Sequence, residues 1–291
     1  MKPPAFEYHA PSSLDEALAL LHDFAPDAKP IAGGQSLVPM MNFRLVHPGR
    51  LIDLNGIAAL SYIRVEAGEL CIGAMTRHAQ VEKSAVVRAG WPLFTEAMRH
   101  VAHVQIRNRG TLGGSLSHAD PAAEMPAVVA SLDGKLVVRN HKGTRTLAAD
   151  EFFVGALTTS LEPDELLVEV RIPPLSPSAG CAFDELSRRR GDYALVGAAA
   201  VLDVDSNGLI STARLTYIGV GEGPVRCLRA EMNLMGRKPD AASFAAAAQV
   251  AAGDLTPESD LHASADYRRQ VAEVMARRVL QQAAERMGTR T

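Results

Sequence analysis

Two short runs of the chain place paired glycines just ahead of a serine: Ala32-Gly33-Gly34-Gln35-Ser36-Leu37 and Thr111-Leu112-Gly113-Gly114-Ser115-Leu116. Nothing else in the sequence constrains the fold as strongly. Paired glycines after a strand permit positive φ and let the backbone approach a ligand or another backbone closely. A serine that opens a helix adds its hydroxyl and the helix's unpaired N–H groups, which together suit an anion such as a pyrophosphate. Taken singly, the first run would serve equally well as a plain tight turn, and the second as a surface Ω-loop. Two such runs in one chain favour a cradle.

The second run continues through Ser117, His118, Asp120 and Pro121 to Glu124. Its residues before His118 read as a loop poor in side-chain bulk, exposing backbone donors. Glu124 then falls in the first turn of a helix expected over Pro121–Leu132, where a carboxylate can accept hydrogen bonds from sugar-type hydroxyls. A third motif, Arg188-Arg189-Arg190-Gly191-Asp192-Tyr193, precedes an apolar strand. It reads either as a solvated basic turn or as an aromatic wall, Tyr193, for a planar ring. Gly219-Val220-Gly221-Glu222-Gly223-Pro224 fails as a dinucleotide fingerprint, because Pro224 takes the last glycine position and no helical pattern follows. The sequence carries neither a P-loop nor a nucleophile elbow. His78, His100, His103 and His118 lack metal-ligand spacing.

Around these motifs the pattern alternates. Ser13 and Glu16 form an S-x-x-E capping box before a helix with Leu14, Ala17, Leu18, Leu21 and Phe24 at helical spacing. Strands follow at 29–32 and 51–54. A hairpin at 62–74 turns on Ala67-Gly68. Helices are expected from Thr76 to Lys83 and from Pro92 to Val101, and strands at 135–140 and 166–172. Pro173-Pro174-Leu175-Ser176-Pro177-Ser178 reads as a linker. Beyond it, strands at 181–187, 194–204 and 209–219 precede helices near 241–252 and 264–287. Strands followed by helices indicate an α+β domain. The expected boundaries are 1–55, 56–177 and 178–291.

Composition narrows the function classes. Lys+Arg 30 against Asp+Glu 33 gives a net charge of -3, with no electrostatic pull toward nucleic acid. No apolar stretch is long enough to span a bilayer, and the N-terminus has no secretory h-region, so a cytoplasmic protein is expected. Cys71, Cys181 and Cys227 are dispersed. They provide neither a zinc site nor the four thiolates of an iron–sulfur cluster.

With these residues in place, AGGQSLVPMMNFRL (32–45), RNRGTLGGSLSHADPAAEMP (107–126) and RRRGDYALV (188–196) resemble the FAD-binding medium subunit of the molybdenum hydroxylases. That family includes bacterial carbon monoxide dehydrogenase, quinoline oxidoreductase and nicotine dehydrogenase complexes and the flavin domain of xanthine dehydrogenase. The resemblance covers essentially the whole chain in order. It implies an α+β protein with the FAD-binding fold of the vanillyl-alcohol oxidase / p-cresol methylhydroxylase type and a C-terminal α+β domain.

Carried over residue by residue, the resemblance puts Ala32, Gly33, Gly34, Gln35, Ser36 and Leu37 around the pyrophosphate. Thr111, Gly113, Gly114, Ser115 and His118 would line the FAD, and Glu124 would bind its ribityl hydroxyls. Leu161 and Tyr193 would flank the isoalloxazine, with Val101 and Ala102 on the cofactor wall. No His or Cys stands where a covalent flavin link would form, so the FAD is expected to be non-covalent. No residue is expected to act as a catalytic acid, base or nucleophile, and none to ligate a metal. The resemblance further implies a large partner with a molybdenum cofactor and a small partner with two [2Fe-2S] clusters, in a dimer of heterotrimers. The partner clusters would pass electrons to this FAD, which hands them to an external acceptor. The alternative is a stand-alone FAD-dependent oxidase or reductase of the same fold.

Overall fold

The computed structural model of the chain describes residues 2–289. Three sheets and one short ribbon organise them. The first sheet is parallel, with Arg50–Asp53 between Glu7–His9 and Ala28–Ile31. Helix Leu14–Phe24 links the two outer strands and buries Ala17, Leu18 and Leu21. Its cap differs from the expected box by one residue. Ser13 accepts from the Glu16 N–H at 3.2 Å, but Glu16 reaches back to the N–H of Ser12 at 2.8 Å.

The second sheet is antiparallel, in the order Ile63–Glu66, Glu69–Gly73, Leu166–Ile172, Lys135–Arg139, Thr144–Ala148. The expected hairpin turn has φ of 50° at Ala67 and 85° at Gly68. The third sheet is antiparallel too: Gly180–Ser187, Ala194–Val204, Ile210–Ile218, Val225–Arg226. Helices Leu228–Leu234, Ala241–Asp254 and Ala265–Glu285 complete the described chain. Strands Thr144–Ala148 and Val225–Arg226 and helix Leu228–Leu234 have too few patterned residues to announce themselves in the sequence.

Both larger sheets are buried on two faces. Along Ala194–Val204, Ala198, Ala200 and Leu202 belong to the core beneath the C-terminal helices. The alternating Ala199 and Val201 join a second core with Phe94, Met98 and Val128. That is why the strand reads as one continuous apolar run. The second sheet repeats the arrangement. Leu136 and Val138 face the same helices, while Val137, Leu166 and Val168 pack with Leu18, Leu21 and Ile52 of the first unit.

Three expectations are corrected. The helix from Pro92 stops at Ala97, because the chain turns before Ala102, whose φ is 43°. The helix expected from Pro121 begins at Glu124, since Asp120 accepts the Ala122 N–H at 2.9 Å and holds the preceding residues in a turn. The stretch expected as a long glycine loop contains helices Val104–Arg107 and Leu112–His118, the second with Gly113 and Gly114 in its first turn.

Candidate cofactor site

The first glycine motif leaves the end of strand Ala28–Ile31 and turns at Gly34, whose φ is +73°. Helix Leu37–Asn42 starts immediately after it, with Ser36 as N-cap. Gln35 Nε2 donates to the Gly33 carbonyl and Asn55 Nδ2 to the Ala32 carbonyl, each at 2.9 Å. These bonds fix the loop's carbonyls. Among the described residues, the backbone N–H groups of Gly34, Gln35, Ser36 and Leu37 have no protein acceptor. Four successive unpaired donors at a helix start make an anion-binding nest.

The second motif is built differently. Thr111 caps helix Leu112–His118, its hydroxyl accepting from the Gly114 N–H at 3.0 Å. The N–H groups of Leu112 and Gly113 donate to the Thr76 and Ala74 carbonyls. The donors expected to be free in this motif are therefore consumed. What the motif offers is a close-packed wall and the side chains of Ser115 and His118, both half-buried.

Two glycines exist for contact rather than for φ. A Cβ on Gly33 would lie 2.4 Å from the Arg109 carbonyl oxygen, and one on Gly113 would lie 2.5 Å from the Ala74 Cβ. The first of these approaches presses the two motifs together, and Gly114 stands beside Ala32 on the same seam. Arg77 clamps that seam from the side. Its guanidinium donates to Asn55 Oδ1 at 2.5 Å and to the Arg109 carbonyl. Asn55 and Arg77 escape a sequence reading, since each is a lone polar residue without a local motif.

The third motif meets the far end of the second, beyond the glycine seam. Asp120, Pro121 and Ala122 share a cleft of about 620 Å³ with Tyr193, Ala194 and Gly219. Tyr193 is 62% exposed, and Gly191, at φ +80°, passes close to His103 and the Ala102 carbonyl. Ala102 and Leu161 are half-buried against the second sheet's core. Glu124 is only 9% exposed. Burial foremost, then the nearby Glu185 and Asp120 carboxylates, push its carboxyl up to about 8. Among the described residues no other side chain hydrogen-bonds to it.

A family model described as the FAD binding domain in molybdopterin dehydrogenase matches residues 4–175. A second, the CO dehydrogenase flavoprotein C-terminal domain, matches residues 181–283. The chain belongs to this family. It is 45% identical over 286 residues to the 6-hydroxypseudooxynicotine dehydrogenase complex subunit alpha of Paenarthrobacter nicotinovorans, covering 98% of this chain and 97% of that one. A chain of carbon monoxide dehydrogenase from Hydrogenophaga pseudoflava superposes with a TM-score of 0.96 at 40% identity, covering 99% of this chain and 100% of that one. A chain of quinoline 2-oxidoreductase from Pseudomonas putida 86 gives 0.94 at 42% identity, with both chains fully covered.

As a FAD-binding subunit of the molybdenum-containing dehydrogenases, the chain has the fold expected of it: a flavin-binding part followed by a C-terminal α+β domain. It contributes to an oxidoreductase, and the residues present suit the flavin. The nest at 34–37 has the donors a pyrophosphate needs, and the buried Glu124 offers a carboxyl without a side-chain partner to which hydroxyl groups could hydrogen-bond. Cys71, Cys181 and Cys227 are all buried and none forms a disulfide. No helix among the described residues is long and apolar enough to cross a membrane.

Proposed function

We propose that this chain seats a non-covalent FAD at the seam of its two glycine motifs and relays electrons between partner clusters and an external acceptor. The single observation that carries the placement is the run of unpaired N–H groups at Gly34, Gln35, Ser36 and Leu37. Bound FAD supplies the exchange between one-electron and two-electron transfer.

The chain's own residues do the rest. Gly34, Gln35, Ser36 and Leu37 bring N–H donors to the pyrophosphate, with Ala32 and Gly33 closing the turn against the second motif. Thr111, Gly113 and Gly114 form the opposite wall, and Ser115 and His118 border it. Glu124 accepts from the ribityl hydroxyls. Leu161 and Ala102 cover the ring system from the core side, and Tyr193 covers it from solvent. Three subdomains, bounded at 55 and 177, hold the cofactor between them. The large molybdenum-cofactor subunit and the small [2Fe-2S] subunit would join this chain in a cytoplasmic dimer of heterotrimers.

The test is direct. The purified chain, denatured, should release one FAD. A colourless protein that takes up no FAD, alone or with its partners, would overturn the reading.

A further inference from the structure

His22, His141 and Asp164 are distant in sequence and converge at one point of the surface. His22 lies in the last turn of helix Leu14–Phe24. His141 sits in the turn between strands Lys135–Arg139 and Thr144–Ala148, and Asp164 lies just before strand Leu166–Ile172. Asp164 Oδ2 is 3.4 Å from His141 Nδ1 and 3.9 Å from His22 Nδ1. The two imidazole rings are 3.7 Å apart, centroid to centroid, and tilted by 35°. One donor atom from each residue lies within 4.8 Å of the other two.

These separations are longer than those of a hydrogen-bonded triad. Asp164 and His141 stand at the spacing of two ligands on one ion, whereas His22, its ring laid over that of His141, has to swing on its exposed side chain to complete the set. Hydrogen bonds would draw the donors to roughly 3 Å and align them. Donors bound at about 2.0–2.2 Å to one tetrahedral ion stand roughly 3.4 Å apart. Two nitrogens and one carboxylate oxygen select a borderline transition ion over calcium or magnesium, which prefer all-oxygen shells.

The geometry points to a divalent transition-metal site of the zinc class, with His22, His141 and Asp164 as ligands and a fourth position open to water. The site joins the first sheet unit to the second. Its neighbours serve the same seam: Asp15 pairs with Arg139 at 2.8 Å, and Leu18 and Leu21 share a core with Val137 and Leu166. A bound ion therefore staples helix Leu14–Phe24 to the second sheet.

The test uses the untagged full-length chain, stripped with chelator and titrated with Co²⁺ as a visible probe. A d–d absorption band should saturate at one ion per chain and be displaced by Zn²⁺. Zn²⁺ at about 100 times its Kd should raise Tm by roughly 5 °C. His22→Ala, His141→Ala and Asp164→Asn should each lose the band and the Tm rise. All three positions are at least partly exposed, so the metal-free variants should melt with the parent. Should an alanine variant melt lower, the isosteric Asp164→Asn carries the comparison. No band in the parent, or an unchanged band and Tm rise in the variants, overturns the site.

Discussion

Glu124 shows how one residue's environment makes a checkable pH dependence. Its carboxyl stands at about 8 in the folded chain against an ordinary value of 4.5. Below 4.5 both folded and unfolded chains hold the proton, and Glu124 contributes no pH dependence. Between 4.5 and 8 the unfolded chain has released a proton that the folded chain keeps, so stability falls as pH rises. Above 8 the loss is complete. Flavin-free Glu124→Gln should therefore melt several degrees above the parent at pH 8.5, and the gap should vanish near pH 4. A parent that melts higher at pH 8.5 would contradict the assignment. Flavin hydroxyls donating to the carboxylate would favour its charged form. FAD uptake near pH 7.5 should then release a fraction of a proton in the parent and none in Glu124→Gln, read by calorimetry in buffers of different ionisation enthalpy. The glutamate's position was legible in the sequence as a helix-first-turn acid. Its burial was not, because Glu185 and the wall around it come from other segments. Gly33→Ala acts at the same scale. The new methyl would meet the Arg109 carbonyl and part the two motifs, so flavin retention should fall at least tenfold while far-UV dichroism is unchanged. Equal flavin content would remove the seam from the site.

Helix Leu112–His118 marks where local reading fails at the scale of an element. Two adjacent glycines are poor helix formers, and a sequence reading turns them into a loop. The helix forms because Thr111 caps it and because Gly113 must slide past Ala74, where any side chain would collide. By contrast, strand Ala194–Val204 was legible throughout, since burial on both faces leaves an uninterrupted apolar run. The same logic explains the corrected start of helix Glu124–Ser131. Pro121 fits a helix's first turn by composition, but the Asp120 side chain claims the Ala122 N–H and delays the helix. The cap is the element's weak point. Thr111→Ala should cost about 1 kcal/mol of unfolding free energy, read as a lower denaturation midpoint, with Thr111→Ser recovering most of it. Equal midpoints for all three proteins would show that the cap contributes nothing to the helix.

At the scale of the molecule, the proline-rich run at 173–178 suggests a clean cut between two independent parts, and the family models divide there as well. The packing argues otherwise. Cys181, Phe183, Ala199, Val201 and Ile218 lie beyond the run, yet they share one core with Leu93, Met98, Val128 and Leu136 before it. Helix Pro92–Ala97 touches strand Gly180–Ser187, and Arg286 near the C-terminus pairs with Glu96 at 2.7 Å. Separating the halves would expose an apolar face on each, at about 25 cal/mol for every Å² returned to water. Such a shared core is invisible to a reading along the chain, because the alternation in Ala194–Val204 shows that both faces are buried but not against what. The expected outcome is that residues 1–177 and 178–291, expressed separately, are aggregated or unfolded, whereas co-expressed they purify together. The intact chain should melt in one transition that is the same by near-UV and far-UV dichroism. Two separable transitions, or a soluble cooperative 1–177 fragment, would show that each half is stable without the core they share.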